Sequence, residues 1–297
     1  MRNFRLLLTF GFVTIIMAVS RPAFAASCLS RVDAPGCSYG LPADQYQQLL
    51  GIMASNPHPA VHGLPVDQDE LMKYSDTGKE YFHIASAFTG VVFDAPPALP
   101  MGWIIKNARP LPLPDGDYLE KTDAIPRYTI VYIYATQRVG GEYWYLIGPG
   151  QWVQAFKIAR LMPPARPGVS GRWVAVDVAQ EVLTAYENDQ LVFATLISSG
   201  KDQRVTRTGL TSIYLRQRVG DMSALMGTPD QYNIYNVPYI MYFNDGMALH
   251  AAPWHDNFGY PMSHGCVNMS MTDARWLFGW TESAPTAPVY VWRSIIS

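Results

Sequence analysis

Between Tyr81 and Leu161 every apolar run is cut short by a cluster of turn-forming residues: Pro96-Pro97, Pro114-Asp115-Gly116, Gly140-Gly141 and Gly148-Pro149-Gly150. Runs of this length suit strands, because a helix needs about ten or more residues of unbroken pattern to form a useful face. Strands are therefore expected at Tyr81–Phe88, Val91–Phe93, Gly102–Ile105, Thr129–Ala135, Tyr143–Ile147 and Trp152–Ile158. So many short strands in about 80 residues predict a small barrel or sandwich.

The pattern resumes after Met162–Ser170, where Pro163, Pro164 and Pro167 make a stiff linker. Trp173–Val178, Val182–Tyr186 and Leu191–Ser198 read as hairpin-connected strands, followed by Thr211–Leu215, Pro238–Phe243, Met247–Leu249 and a closing strand at Val289–Trp292. Val219–Asn236 reads as a long loop able to cover a cleft. Ser270, with Asp273 three positions on, approximates a capping box for a helix over Thr272–Trp280. The expected fold class is mainly β, with one clear helix in its last domain.

Composition supports this and removes some functions. Aromatic residues make up 13% of the chain, which favours strands and half-exposed faces over helical bundles. A net charge of −2 provides no electrostatic case for nucleic acid or an anionic bilayer as partner.

The chain opens with Met1-Arg2-Asn3-Phe4-Arg5, then the apolar run Leu6–Val19, then Ala23-Phe24-Ala25. A basic start, a short apolar segment and an A-x-A site make residues 1–25 a signal peptide. The run falls short of the roughly 20 residues a membrane span needs, although an uncleaved anchor is the alternative. A lipid anchor at Cys28 fits less well, since Ala25-Ala26-Ser27 lacks the Leu expected three places before the cysteine. The mature chain is thus expected to be exported, with no stable span after cleavage. Residues 26–79 hold a small Cys28–Cys37 loop and a short helix started by Pro42, with Tyr46, Leu49, Leu50 and Met53 on one face. His58 and His62 lie in the irregular stretch that follows and read as solvated, without further ligands for a metal.

In an oxidising compartment the cysteine count is informative. Cys28 and Cys37 are close enough in sequence to pair, which leaves Cys266 as the odd thiol. Cys266 also sits in the most chemically suggestive stretch of the chain, Ser263-His264-Gly265-Cys266-Val267-Asn268, with His250 sixteen residues upstream. An imidazole can take a thiol's proton or pair with the thiolate. Gly265 lets backbone approach closely, so amides around Cys266 could face a developing oxyanion. These are the components of an acyl-transfer site.

That constellation, His250, a gap of twelve residues and then Ser263 to Asn268, resembles the signature of the L,D-transpeptidase catalytic domain (YkuD-like) family. Trp173–Ser199 is similar to the family's opening hairpins, which end in S/T-G, and Thr206–Gly209 to its T-x-T-G element. Arg207 and Leu210 stand where the family has Pro and Phe, which puts loop detail in doubt and leaves the chemistry alone. The resemblance implies a β-sandwich-like domain that acts on peptidoglycan stem peptides. Cys266 would be the nucleophile and His250 the base, oriented by a neighbouring carbonyl such as that of Ala251. His264, Gly265 and Cys266 would shape the oxyanion pocket, supported by Ser263 and Asn268. The cysteine would attack the carbonyl before the terminal D-Ala of a tetrapeptide, and an amine would resolve the thioester into a 3→3 cross-link. No metal or organic cofactor is implied. Gly141–Tyr145 and Gly150–Val153 resemble the closing part of bacterial SH3-like domains.

The expected organisation is a signal peptide at 1–25, an N-terminal segment at 26–79, an SH3-like β region at 80–162, a linker at 163–170 and the catalytic domain at 171–297, in an enzyme of the cell envelope. Alternatives stay open. Water as acceptor makes the same site an L,D-carboxypeptidase. His250, His255, His264 and Cys266 as zinc ligands make a hydrolase or a structural module, and a wall-binding protein is a third class. His255 has no counterpart in the resemblance and reads as a solvated loop residue. Trp254, Phe258 and Tyr260 read as aromatic packing beneath a long loop. The acceptor and the oligomeric state are not legible.

Overall fold

The computed structural model describes residues 28, 37–56, 59, 62–63, 89–117, 122–224 and 232–295. The expected signal peptide, His58 and the strand expected at Tyr81–Phe88 lie outside the described residues, as do residues 225–231.

Cys28 and Cys37 form a disulfide next to a two-residue pair of strands, β1 (Cys37–Ser38) and β2 (Leu41–Pro42). A helix follows at Ala43–Ser55, burying Tyr46 and Met53. Next come β3 (His62–Gly63), β4 (Val91–Val92), β5 (Met101–Ile104), β6 (Ile130–Tyr132), β7 (Ala135–Val139), β8 (Glu142–Gly148), β9 (Gln151–Gln154) and β10 (Ile158–Arg160). β5, β6 and β10 make one three-stranded sheet and β7, β8 and β9 another. The chain passes between the two sheets twice. Residues 133–134 link β6 to β7, and a single 3-10 turn, Ala155–Lys157, links β9 to β10. Ile104, Val131 and Ile158 of the first sheet and Tyr145, Ile147 and Val153 of the second pack in one core, the sandwich form of the expected small β unit.

The remaining elements are β11 (Arg172–Asp177), β12 (Val182–Glu187), β13 (Gln190–Leu196), β14 (Gly209–Ser212), β15 (Leu215–Ala224), β16 (Tyr232–Asn244), β17 (Met247–Ala251), β18 (Val267–Met269), a helix at Met271–Trp280 and β19 (Pro288–Trp292). They build a seven-stranded sheet, ordered β14-β19-β11-β12-β13-β4-β3, and a four-stranded sheet, ordered β15-β16-β17-β18. Alternate residues of β11 face opposite ways: Val174 and Val176 enter the core shared with the second sheet and the C-terminal helix, while Trp173 and Ala175 enter a core shared with β4–β6. A sheet covered on both faces explains why Arg172–Asp177 and Val182–Glu187 read as nearly unbroken apolar runs.

The two halves of the chain are therefore joined through packing as well as through the Pro-rich segment. Trp103, fully buried, donates its indole N–H to the carbonyl of Thr89 at 2.9 Å, and Trp173 stacks on Tyr186 at 4.4 Å. At the C-terminal helix Ser270 is the N-cap, accepting from the Asp273 amide. The Asp273 carboxylate also meets the Ser270 and Thr89 hydroxyls. It accepts from Thr195 Oγ1 at 2.6 Å, pinning the helix start to β13.

The loop expected over Val219–Asn236 is corrected. Residues 215–224 and 232–244 are the two arms of a long antiparallel hairpin, with a bulge between Gly220 and Met222. Its first arm is largely exposed, so it lacks the apolar alternation that marks a half-buried strand; backbone pairing alone defines it. The strand expected at Thr211–Leu215 starts two residues earlier and ends at Ser212, as β14, and Leu215 already opens β15. Among the described residues no helix is long and apolar enough to cross a membrane.

Candidate active site

β17 and β18 run parallel, with Leu249 opposite Val267 and His250 opposite Asn268. Parallel neighbours cannot be joined by a tight turn, so residues 252–266 form a crossover loop, and Cys266 is the last residue before the chain re-enters the sheet beside His250. The loop is fastened along its length. Ala252 N–H donates to Met269 O, Gly259 N–H to Ile197 O, and the Met262 and Ser263 amides share the carbonyl of Ser199 at 2.9 and 3.0 Å. Ser198 Oγ donates to Asn257 O at 3.0 Å.

The turn that presents the cysteine is held by hydroxyls. Ser263 Oγ accepts the Gly265 amide at 3.0 Å and donates to the carbonyl of Cys266 at 2.5 Å. Thr206 Oγ1 donates to Gly265 O and accepts from Gly200 N–H, both at 2.9 Å. Gly265 has φ +122°, a conformation that side chains rarely adopt. Gly200 is needed for closeness: a Cβ there would lie 2.1 Å from Arg204 O and 2.9 Å from Gly265 Cα. The Ser199-Gly200 and Thr206 elements thus meet under the cysteine turn, a contact that local sequence does not announce.

His250 is buried, and its Nδ1 lies 2.8 Å from the carbonyl of Ala251. A carbonyl only accepts, so Nδ1 carries the proton and Nε2 keeps its lone pair. Burial pushes the imidazole down to about 4, against the pull of the Ala251 carbonyl; His255 lowers it further. Cys266 is free, 8% exposed, and packed with Met222, Val237, Ile240 and Ala248, with Tyr242 and Trp254 alongside. Burial pushes the thiol up to about 11, opposed by a backbone hydrogen bond from Ala248. Both groups are neutral at pH 7. His264 is exposed on the turn.

His255 corrects the sequence reading. It is not solvated: it lies 5.0 Å from the Phe258 ring, Nδ1 accepts the Asn257 amide at 3.1 Å, and Nε2 meets the side-chain amide of Asn268 at 3.0 Å. Burial pushes it down to about 4. Phe258 is fully buried, as expected of aromatic packing, whereas Tyr260 is partly exposed and Trp254 faces His250 at 5.7 Å. Among the described residues no three His, Cys, Asp or Glu side chains cluster as metal ligands.

Two residues of the first half, unmarked in the sequence, also touch the crossover loop. Arg127 Nη2 donates to Phe258 O at 2.8 Å and Tyr128 OH donates to Asp256 O.

The stretch that holds His250, His255 and Cys266 is similar to a known family. Residues 171–291 match the family model of YkuD, the L,D-transpeptidase catalytic domain. Every strand from β11 to β19, His250 and Cys266 included, lies in or at the edge of the matched stretch. Among solved structures, an L,D-transpeptidase from Mycobacterium smegmatis is 17% identical over 52% of this chain and 79% of that one, with a TM-score of 0.37. The catalytic domain of the E. faecium L,D-transpeptidase is 24% identical over 42% of this chain and 99% of that one, also at 0.37. L,D-transpeptidase 3 from Mycobacterium tuberculosis is 18% identical over 51% and 78%, again at 0.37. No curated protein matches the chain.

Proposed function

We propose that this protein is a peptidoglycan L,D-transpeptidase in which Cys266 is the nucleophile and His250 the general base. The observation that carries the reading is the 2.8 Å contact between His250 Nδ1 and Ala251 O, which leaves Nε2 as a base on the strand beside the cysteine turn. With both groups neutral, the thiol proton passes to Nε2 as Sγ attacks the carbonyl preceding the terminal D-Ala of a tetrapeptide stem. The oxyanion forms against the backbone of the His264–Cys266 turn. Gly265 contributes through its conformation, because its own N–H is already bonded to Ser263 Oγ. His250 then protonates the leaving D-Ala amine. The thioester is resolved by the amine of a neighbouring stem, whose proton returns through His250 as the thiol is restored. Export through residues 1–25 to the envelope belongs to the same reading, and the Cys28–Cys37 disulfide supports an oxidising compartment.

The test is intact-mass spectrometry of residues 26–297 with a disaccharide-tetrapeptide, wild type beside Cys266→Ala. The expected result is a covalent adduct on the wild type alone, released D-Ala and an accumulating cross-linked dimer. Release of D-Ala with tripeptide and no dimer assigns water as acceptor. No adduct and no D-Ala overturns the proposal.

A further inference from the structure

Glu181 occupies a costly position. It ends the turn between β11 and β12 with φ +53°, a left-handed conformation that Gly, Asn or Asp adopts far more easily, and it is buried, only 3% exposed. A non-glycine residue held in this way, with a carboxylate taken out of water, points to something local that over-determines it. That something is Ser199. Glu181 Oε2 accepts the Ser199 amide at 2.6 Å and Oε1 accepts the Ser199 hydroxyl at 2.5 Å. Two charged groups act on Glu181 through space: Asp177, on the other side of the turn, and Arg293, beyond β19. Asp177 is turned to the Ala179 and Ser294 amides.

Ser199 in turn holds the cysteine loop. Its carbonyl receives the Met262 and Ser263 amides, Lys201 N–H bonds Ser263 O at 3.1 Å, and Ser263 Oγ spans Gly265 N–H and Cys266 O. An unbroken path of hydrogen bonds therefore runs from Glu181 to the backbone of Cys266, through one residue gripped at both its donors.

We propose that Glu181 is a positioning residue for the Cys266 turn: by fixing Ser199 it sets the height at which residues 262–266 cross the end of β13, and hence the approach of the thiol to an acyl carbon. The inference rests on the reading of Cys266 as nucleophile. A displacement of the nucleophile by about 1 Å is enough to cost up to a hundredfold in rate.

The test compares Glu181→Ala, Glu181→Gln and Val291→Ala, the last trimming the core of the same sheet on β19, with wild type. Hydrogen exchange of the Met262 and Ser263 amides reads the loop directly, and D-Ala release from a tetrapeptide reads the chemistry. The expected result for Glu181→Ala is exchange at those two amides faster by about tenfold or more, and kcat lower by about tenfold to a hundredfold with little change in KM. Gln keeps one acceptor for the Ser199 amide and offers a donor to its hydroxyl, so Glu181→Gln is expected within about threefold of wild type on both measures. Val291→Ala lowers the melting temperature without selecting those amides. If Glu181→Ala and Val291→Ala, compared at equal loss of melting temperature, change exchange and kcat alike, or if Gln restores nothing, the proposal is overturned. Exchange does not depend on turnover. A wild type that releases no D-Ala would therefore remove the transpeptidase reading while leaving the positioning of the turn measurable.

Discussion

Arg127 Nη2 donates to the carbonyl of Phe258 at 2.8 Å, across 131 residues of sequence. The guanidinium also stands 4.5 Å from the ring centroid of its neighbour Tyr128 and 5.7 Å from that of Tyr260, so Arg127 meets the crossover loop through one hydrogen bond and one ring face, and Tyr128 adds its own hydrogen bond to Asp256 O. Its charge adds to the burial that holds His255 low, in opposition to Asp256. In Arg127→Ala the His255 imidazole should titrate above its value of about 4, by a shift visible in its ring-proton resonances over a pH series. D-Ala release should slow as the loop loosens, with a stability loss of about 1–2 kcal/mol. A His255 titration unmoved by the substitution would show that the charge does not reach the ring.

The neutral state of both reacting groups predicts a broad pH profile. His250, held down to about 4 by burial, must be unprotonated to act as base, so kcat/KM should fall only as pH drops towards 4. The Cys266 thiol, held up to about 11 by burial, does not ionise before then, so no alkaline rise is expected below pH 9 or so. A thiolate–imidazolium pair formed before substrate binds would instead give a thiol that reacts with iodoacetamide at full rate near pH 6. The same sign applies to stability. A base whose folded value is lowered contributes stability above its unfolded value of 6.5 that is lost as pH falls towards 4, and His250 and His255 act together there.

Cysteine accounting gives a prediction independent of activity. Of the three cysteines, Cys28 and Cys37 are bonded and Cys266 is free and buried. The mature chain unfolded without reductant should show one thiol per molecule, and none or only a slow fraction when native. Three thiols under those conditions would mean that the disulfide does not form.

Gly200 lies where the strand leading from β13 meets the cysteine turn. The Cβ of Gly200→Ala would stand 2.1 Å from Arg204 O and 2.7 Å from Thr206 N, both backbone atoms that cannot rotate away. The substitution should destabilise the domain by about 2–3 kcal/mol and lower D-Ala release further than that loss alone explains, because the displaced segment carries Thr206 and its bond to Gly265. Equal activity in folded Gly200→Ala would show that the turn tolerates being raised. Melting curves and single-turnover D-Ala release decide between the two.

What was legible in the sequence divides along physical lines. Strands such as Val182–Glu187 and Glu142–Gly148 announce themselves because burial requires apolar runs and tight turns require Gly, Pro or Asn. The His250 and Ser263–Cys266 pattern is legible because the turn under the thiol needs a residue without a side chain at Gly265 and a hydroxyl at Ser263. The β15–β16 hairpin was not, since little of its first arm is buried and backbone pairing leaves no mark in residue type. Nor were His255, Arg127 and Glu181. Each is defined by a partner distant in sequence or by burial of a residue type that is usually solvated, and no local period encodes either.

Glu181 itself gives a prediction about stability with a definite sign. Burial pushes its carboxyl up from 4.5 to about 7, against the two Ser199 hydrogen bonds, with Asp177 raising it and Arg293 lowering it. An acid whose folded value is raised favours the folded state when protonated, so its contribution is complete below pH 4.5 and is lost as pH rises through 7. The difference in unfolding free energy between wild type and Glu181→Gln should therefore move against wild type by up to about 3 kcal/mol from pH 4.5 to pH 8, at roughly 1.4 kcal/mol for each tenfold in the proton equilibrium. Taking the difference between the two proteins cancels the opposing slope from the histidines and the parallel one from Asp273, whose carboxyl is also raised by burial. Urea unfolding of both proteins across that range measures it. A difference that stays flat would mean that the Glu181 carboxyl titrates alike in the folded and unfolded chain, the cost of burial being fully offset by Ser199 and Arg293.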